Sequence, residues 1–155
     1  MEIKLLRAGM EDAKELHAMQ VESFRALLDK YQDFDTSPAN ENVEKIEFRL
    51  SQDFTYYYFI CLGPDKVGAI RIVDRKENGV NKRISPIFIL PEYRGQGLAK
   101  KAIRACEEIH GQEEWELDTI LQEPKNCYLY EKMGYRRTGG EKVINDKLTL
   151  VFYEK

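Results

Sequence analysis

Cysteine and histidine are scarce in this chain, and neither is arranged for chemistry. Its 155 residues include three cysteines, Cys61, Cys106 and Cys127, and two histidines, His17 and His110. An odd number of widely spaced cysteines, with no C-x-x-C pair, argues against a disulfide framework or a zinc site. Cys61 and Cys106 fall on apolar faces and read as packing residues. The histidines lie far apart without metal-ligand spacing, so both read as surface or helix-end groups. No Cys-His or Ser-His arrangement of the kind that activates a nucleophile is visible. Long apolar runs are missing too, which excludes a membrane span of ordinary length. The N-terminus carries early acids and no apolar signal-peptide core, so a cytoplasmic location is expected. A strong charge excess is also absent. The net charge of −3 argues against a nucleic-acid surface and suits a cationic or neutral partner.

What is present is an ordinary globular composition, 43% hydrophobic and 33% charged, in a length that fits one domain over residues 1–155. Ile3 to Arg7 reads as a strand. Ala13, Leu16, Gln20, Phe24, Leu27 and Tyr31 recur at helical steps. Ser37 before Pro38 signals the start of a second helix with Val43, Ile46 and Leu50 on its seam. Three strands follow in "DFTYYYFICL", "VGAIRIVD" and "RISPIFIL", with Asn78-Gly79 marking a hairpin turn. Pro86 inside the third predicts a bulge or a break in pairing. A helix with its seam at Leu98, Ala102, Cys106 and Ile109 ends at Gly111. The strand "WELDTIL", a short helix closed by Gly134, and a final hairpin turning at Asn145-Asp146 complete the chain. This order predicts a mixed sheet in an α+β, or layered α/β, architecture.

The informative stretch is "LPEYRGQGLAKKAI". A strand stops at a proline, small residues follow at alternate positions, and a basic helix begins. Such a turn leaves backbone N–H groups unpaired at a helix N-terminus, where they and the helix dipole bind anions such as phosphate. Gly95 and Gly97 keep Cβ atoms out of the way. Lys100, Lys101 and Arg104 add positive charge nearby. The alternative is a glycine turn that only packs closely. The stretch is not a P-loop, because no hydroxyl follows Lys100. It is not a dinucleotide fingerprint either, because Lys100 occupies the third glycine position. Asp118 lies about where a ribose-binding acid would be expected, but inside its strand and without a preceding βαβ unit.

"RGQGLA", Arg94 to Ala99, resembles the R/Q-x-x-G-x-G/A signature of the GNAT N-acetyltransferases. "LYEKMGYRRTG", Leu129 to Gly139, is similar to the family's second motif, and "AGMEDAKEL", "VGAIRI" and "LVFYEK" fit other parts of it. The resemblance implies a mostly antiparallel sheet of about seven strands with four helices, splayed between the fourth and fifth strands. It also implies an acetyl-CoA cosubstrate and transfer of the acetyl group directly to a primary amine of a small molecule or peptide. No metal, nucleic acid or membrane enters that chemistry, and a homodimer is a candidate assembly by analogy.

By the same resemblance, the CoA diphosphate would lie on the amides of Gln96, Gly97, Leu98 and Ala99, in a turn formed by Arg94 and Gly95, with Lys100 beside it. The pantetheine arm would run along Ile89 and Leu90, and an N–H near Leu90 would serve the thioester carbonyl. Tyr130 matches the tyrosine that protonates the departing thiolate. Asn126 is a candidate CoA contact, although the family's usual asparagine aligns with Glu123. The family's strand glutamate is missing from Arg83 to Ile87, so the general base is open, with Glu22, Tyr31 and Asp74 as candidates. That gap keeps a non-catalytic acyl-CoA-binding or sensing module as the alternative. The acceptor site would form from "YQDFDTSPAN" and "GGEKVINDK", where Tyr31, Asp33, Phe34 and Asp35 make an aromatic, acidic rim.

Overall fold

The computed structural model describes residues 2–155. Seven strands form one sheet in the order β1-β2-β3-β4-β5-β7-β6. They are β1 (Lys4–Arg7), β2 (Thr55–Leu62), β3 (Asp65–Val73), β4 (Lys82–Ile89), β5 (Trp115–Ile120), β6 (Arg136–Val143) and β7 (Thr149–Glu154). Four helices accompany them: α1 (Ala13–Tyr31), α2 (Val43–Leu50), α3 (Leu98–His110) and α4 (Pro124–Lys132). All pairings are antiparallel except β4 with β5. The mixed, mostly antiparallel sheet and the helix count agree with the expected architecture.

The centre of the sheet is covered on both faces. Tyr57, Phe59, Ala69 and Phe88 pack under Leu16 and Met19 of α1 and Ile46 of α2. Tyr58, Ile60, Ile70 and Ile72 pack on the other face against Leu98, Ala102, Ile103 and Cys106 of α3. This explains why the aromatic run in β2 has no polar alternation: a strand buried on both faces needs none.

Two sequence signals resolve differently. Ser37 accepts a hydrogen bond from the amide of Ala39 but caps only a short 3-10 turn, Pro38–Asn40. Helix α2 is capped instead by Asn42, whose side chain accepts from the amide of Lys45. Ile109 is not on the buried seam of α3; it is 57% exposed, whereas Ile103 is fully buried.

Where strand β4 meets β3, the register slips between Ile70 and Ile72, opposite Ser85 and Pro86. Arg71 fills the irregularity, donating from Nε to the carbonyl of Ser85 at 2.5 Å. Proline's missing N–H fits such a break in the ladder. Further along, β4 runs very close to β3. A Cβ on Gly68 would lie 2.2 Å from the carbonyl oxygen of Phe88. Gly68→Ala must therefore push β4 aside, and we expect a loss of about 1–3 kcal/mol, read as a lower urea midpoint.

His110 is not a surface group. It closes α3 with its side chain only 4% exposed. Nδ1 meets Asp74 Oδ2 at 2.8 Å and Nε2 meets the Tyr58 hydroxyl at 2.9 Å. Burial lowers its pKa below the ordinary 6.5, and the Asp74 hydrogen bond opposes that shift only in part. The unfolded chain then binds more protons here than the folded one, so stability rises with pH. The contribution is complete above 6.5 and declines as the pH falls below it. The melting temperature of the wild type should fall more steeply between about pH 7 and about pH 5 than that of His110→Gln.

Candidate functional site

β4 and β5 pair only at their starts, through Lys82 with Trp115 and Arg83 with Glu116. Beyond Arg83 they diverge, leaving a gap in the sheet between two strand edges. In the regular part of the ladder, Leu90 N–H donates to Val67 O at 2.8 Å. Strand alternation then turns the amides of Ile87 and Ile89 toward the gap. The N–H of Leu90 itself is occupied, and the adjacent Ile89 amide faces the opening.

At the C-terminal end of β4, a 3-10 turn, Pro91–Tyr93, leads into the glycine turn and α3. Gly95 and Gly97 both have positive φ, 83° and 74°. The left-handed conformation explains the choice of glycine locally. It does not explain what lies outside the turn: a Cβ on either residue would meet no atom within 4 Å. Close protein packing is therefore not what these glycines serve. The amides of Gly95, Gln96, Gly97, Leu98, Ala99 and Lys100 donate to no acceptor among the described residues. Leu98 turns its side chain into the core and contributes only its backbone. Arg94 points elsewhere, with Nε on Ile89 O at 3.0 Å and Nη2 on Ser23 O at 2.6 Å. It pins α1 to the end of β4, which shapes the turn, while the turn's own amides remain open.

A cavity of about 430 Å³ occupies the gap. Tyr130 and Asn126 line it one helical turn apart on α4, facing Ser85, Pro86 and Ile87 of β4. Asp33, Asp35 and Pro38 from the α1–α2 connection and Lys142, Leu148 and Leu150 from the β6–β7 hairpin form its other walls. Those two segments touch: Asn145 Nδ2 donates to Tyr31 O at 3.0 Å. The two segments expected to build an acceptor site are thus brought together around one opening.

Tyr130 is 7% exposed and stacks edge-on against Tyr135. Its hydroxyl makes no hydrogen bond to the described residues. Burial raises its pKa well above the ordinary tyrosine value, and the Asp118 carboxylate adds to the shift. The phenol is therefore protonated across the working pH range, on a side chain that lines the cavity.

The candidate bases lie elsewhere. Glu22 is exposed on α1, Asp74 is held by His110, and Tyr31 donates to Glu123. Burial would raise the pKa of Glu123, but its hydrogen bonds to Tyr31 and Lys30 outweigh that and lower it. Glu123 is engaged on α1, whereas Asn126 presents its side chain to the cavity. Of the expected rim, Asp33 and Asp35 line the opening, while Phe34 is 61% exposed to solvent.

Of the charged groups in the cavity wall, sequence reasoning named Asp33, Asp35 and Asp118 but missed Glu41, Lys45 and Arg49. Asp118 lines it and is ion-paired with Arg83. Glu41 lies on the opposite side in a two-point bridge to Arg49, at 2.8 Å for each contact. The alternation of β5 across a gapped sheet was the available signal for Asp118. Among the described residues no cluster suits a metal ion, and no helix is long and apolar enough to cross a membrane.

A larger cavity, about 600 Å³, lies around His110, Tyr56 and Lys76. Its buried polar groups, Asp74, His110 and Tyr58, already satisfy one another, so size alone does not mark the working site.

The fold is shared widely. The spermidine N-acetyltransferase of Vibrio cholerae, crystallised with CoA and spermine, aligns with a TM-score of 0.75 over 98% of this chain and 94% of its own, at 16% identity. The PaiA N-acetyltransferase of Thermoplasma acidophilum, in complex with coenzyme A, aligns over 100% of both chains with a TM-score of 0.73 and 15% identity. A Salmonella typhimurium acetyltransferase that modifies the N-terminal serine of a 50S ribosomal subunit protein aligns over 99% of this chain and 94% of its own, with a TM-score of 0.75 and 13% identity. A sequence search of curated proteins gave no match. The model of the acetyltransferase (GNAT) family matches residues 5–135, from β1 through α4 and including the glycine turn, and the chain belongs to that family.

Proposed function

We propose that the whole chain, residues 1–155, acts as one acetyl-CoA-dependent N-acetyltransferase domain, transferring an acetyl group directly to a primary amine. One observation carries this reading. The glycine turn with its open amides follows the C-terminal end of β4, one edge of the gap, and Tyr130 lines the cavity in that gap with its hydroxyl unbonded to the described residues. Each has a distinct use in acyl transfer, and neither is needed for packing. Crystals of related folds containing CoA or acetyl-CoA support the choice of cosubstrate.

Acetyl-CoA supplies an activated acetyl group on a thiol leaving group. The amides from Gln96 to Lys100 hold its diphosphate, aided by the positive end of α3. The free edge of β4, with the amides of Ile87 and Ile89, receives an extended arm as an added strand would. The Ile89 N–H is the preorganised donor toward the acyl oxygen, a role worth ~3 kcal/mol in comparable sites. Tyr130 donates its phenolic proton to the departing thiolate and regains one, through water, from the nitrogen that loses it as the amide forms, and Asn126 orients the ligand from the preceding turn.

Of the carboxylates lining the cavity, only Asp35 at the exposed rim is neither ion-paired nor held by side-chain hydrogen bonds among the described residues. Asp118 and Glu41 are ion-paired, and the partners of Glu41 hold its pKa below the usual range despite its burial. The amine therefore enters by losing its proton to water or the cavity rim, and its neutral fraction limits the rate. The test is thiol release from acetyl-CoA in the presence of an amine panel, with mass detection of acetylated product. Binding of acetyl-CoA without transfer to any amine would move the assignment to the non-catalytic module.

A further inference from the structure

The wall of the cavity opposite Tyr130 has more positive charge than its own acids can neutralise. Glu41 is the carboxylate that these cations share. Arg49 grips it at two points, and Lys45 Nζ lies 3.3 Å from its other side. Gln20 Nε2 adds a neutral hydrogen bond at 2.8 Å. Arg71 lies beneath Ser85, is 8% exposed, and makes no ion pair among the described residues. Its contacts are the Ser85 carbonyl and, at 3.4 Å, the Thr55 hydroxyl. Burial, followed by repulsion from Arg49, lowers its pKa to about 10. One carboxylate thus serves two cations of the wall, Arg49 and the half-exposed Lys45, while the buried Arg71 lies behind Ser85 and outside the lining.

The remaining charges around the cavity lie outside this cluster. Asp118 belongs to Arg83. Asp33 accepts from the amides of Asp35 and Thr36 and from the Thr36 hydroxyl, which commits it to its own turn. Asp35 and Lys142 are exposed and opposite in sign. A desolvated cation without a counter-charge is expensive unless a ligand brings one.

We propose that the acceptor is an amine that also bears a carboxylate, an amino acid or short acidic peptide, with that carboxylate seated against Lys45 beside the Glu41–Arg49–Arg71 cluster. This deepens the acetyltransferase reading and rests on it. Polyamines, which offer only more positive charge, are disfavoured by the same wall.

Two measurements separate this inference from its parent. The first compares kcat/KM for amino acids with their decarboxylated amines, tyrosine against tyramine and histidine against histamine, with spermidine included. The amino acids should lead by about tenfold or more, because a site built for a charged group rejects the analogue lacking it. Lys45→Gln should shrink that lead. Tyramine, histamine or spermidine performing as well or better overturns the inference and leaves acetyl transfer standing.

The second measurement is calorimetric binding of N-acetyltyrosine and N-acetyltyramine to the CoA-loaded protein. The acid should bind about tenfold more tightly, with the preference lost in Lys45→Gln. That outcome without transfer to any amine retains the carboxylate site and removes the catalytic reading. Equal binding of the two overturns the carboxylate site whatever the catalytic result.

Discussion

Tyr130→Phe should lower kcat by roughly 10² to 10⁴ while leaving the affinity for acetyl-CoA close to that of the wild type. The substitution deletes one oxygen from a side chain whose ring packs against Tyr135 and Tyr153. The hydroxyl makes no hydrogen bond to the described residues, so no protein partner is orphaned and the fold is preserved. What is lost is a proton donor facing the cavity. A departing thiolate must then take its proton from water, in a region where burial has already limited water. The pH profile gives an independent readout. Burial moves the titration of Tyr130 well above the ordinary value of 10.0, so its acid function persists as the pH rises. The neutral fraction of the acceptor amine grows over the same range. The wild-type rate should therefore climb with pH up to about pH 10 without a descending limb from this tyrosine. Unchanged turnover in the phenylalanine variant would remove Tyr130 from the mechanism.

Local signals were sufficient for most elements because each depends on nearby residues. Strand β2 is legible from its aromatic run, α3 from its seam and from Gly111, and the bulge in β4 from Pro86. Ile109 misled because the helix ends one residue later. Its last buried position goes to His110, whose two nitrogens are received by Asp74 and Tyr58. Those partners come from strands remote in sequence, so no periodicity could announce them. Ser37 and Asn42 are both sound cap residues, and each caps a turn of its own, Ser37 the 3-10 turn and Asn42 helix α2.

The site divides along the same line. The glycine turn and Tyr130 sit in contiguous motifs and were legible. The cationic wall was not, because Glu41, Lys45 and Arg49 converge with Arg71 from three different segments. Asp118 lies between these cases. Its strand was placed beside the gap, but a lone acid in a half-buried strand gives no indication that Arg83 will neutralise it.

Gly97→Asp should abolish measurable binding of acetyl-CoA, whereas Gly97→Asn should weaken it much less. Both substitutions place a side chain of similar shape at φ 74°, a conformation that asparagine and aspartate tolerate better than other residues. Neither Cβ meets an atom within 4 Å, so neither should perturb the folded chain through packing. The difference between them is one negative charge in front of the open amides. At about 4 Å and an effective dielectric near 20, two unit charges repel by about 4 kcal/mol, roughly a thousandfold in affinity before screening by salt. The diphosphate of CoA carries more than one charge, so this scale is conservative. A ligand present at about 1,000 times its dissociation constant stabilises the folded protein by ~4 kcal/mol, and a thousandfold loss of affinity reduces that below 1 kcal/mol. The readout is the shift in melting temperature with acetyl-CoA: clear for the wild type, reduced for Gly97→Asn and nearly absent for Gly97→Asp. Similar shifts for the aspartate and asparagine variants would show that no anion approaches the turn. The open amides between Gly95 and Lys100 would then need another explanation.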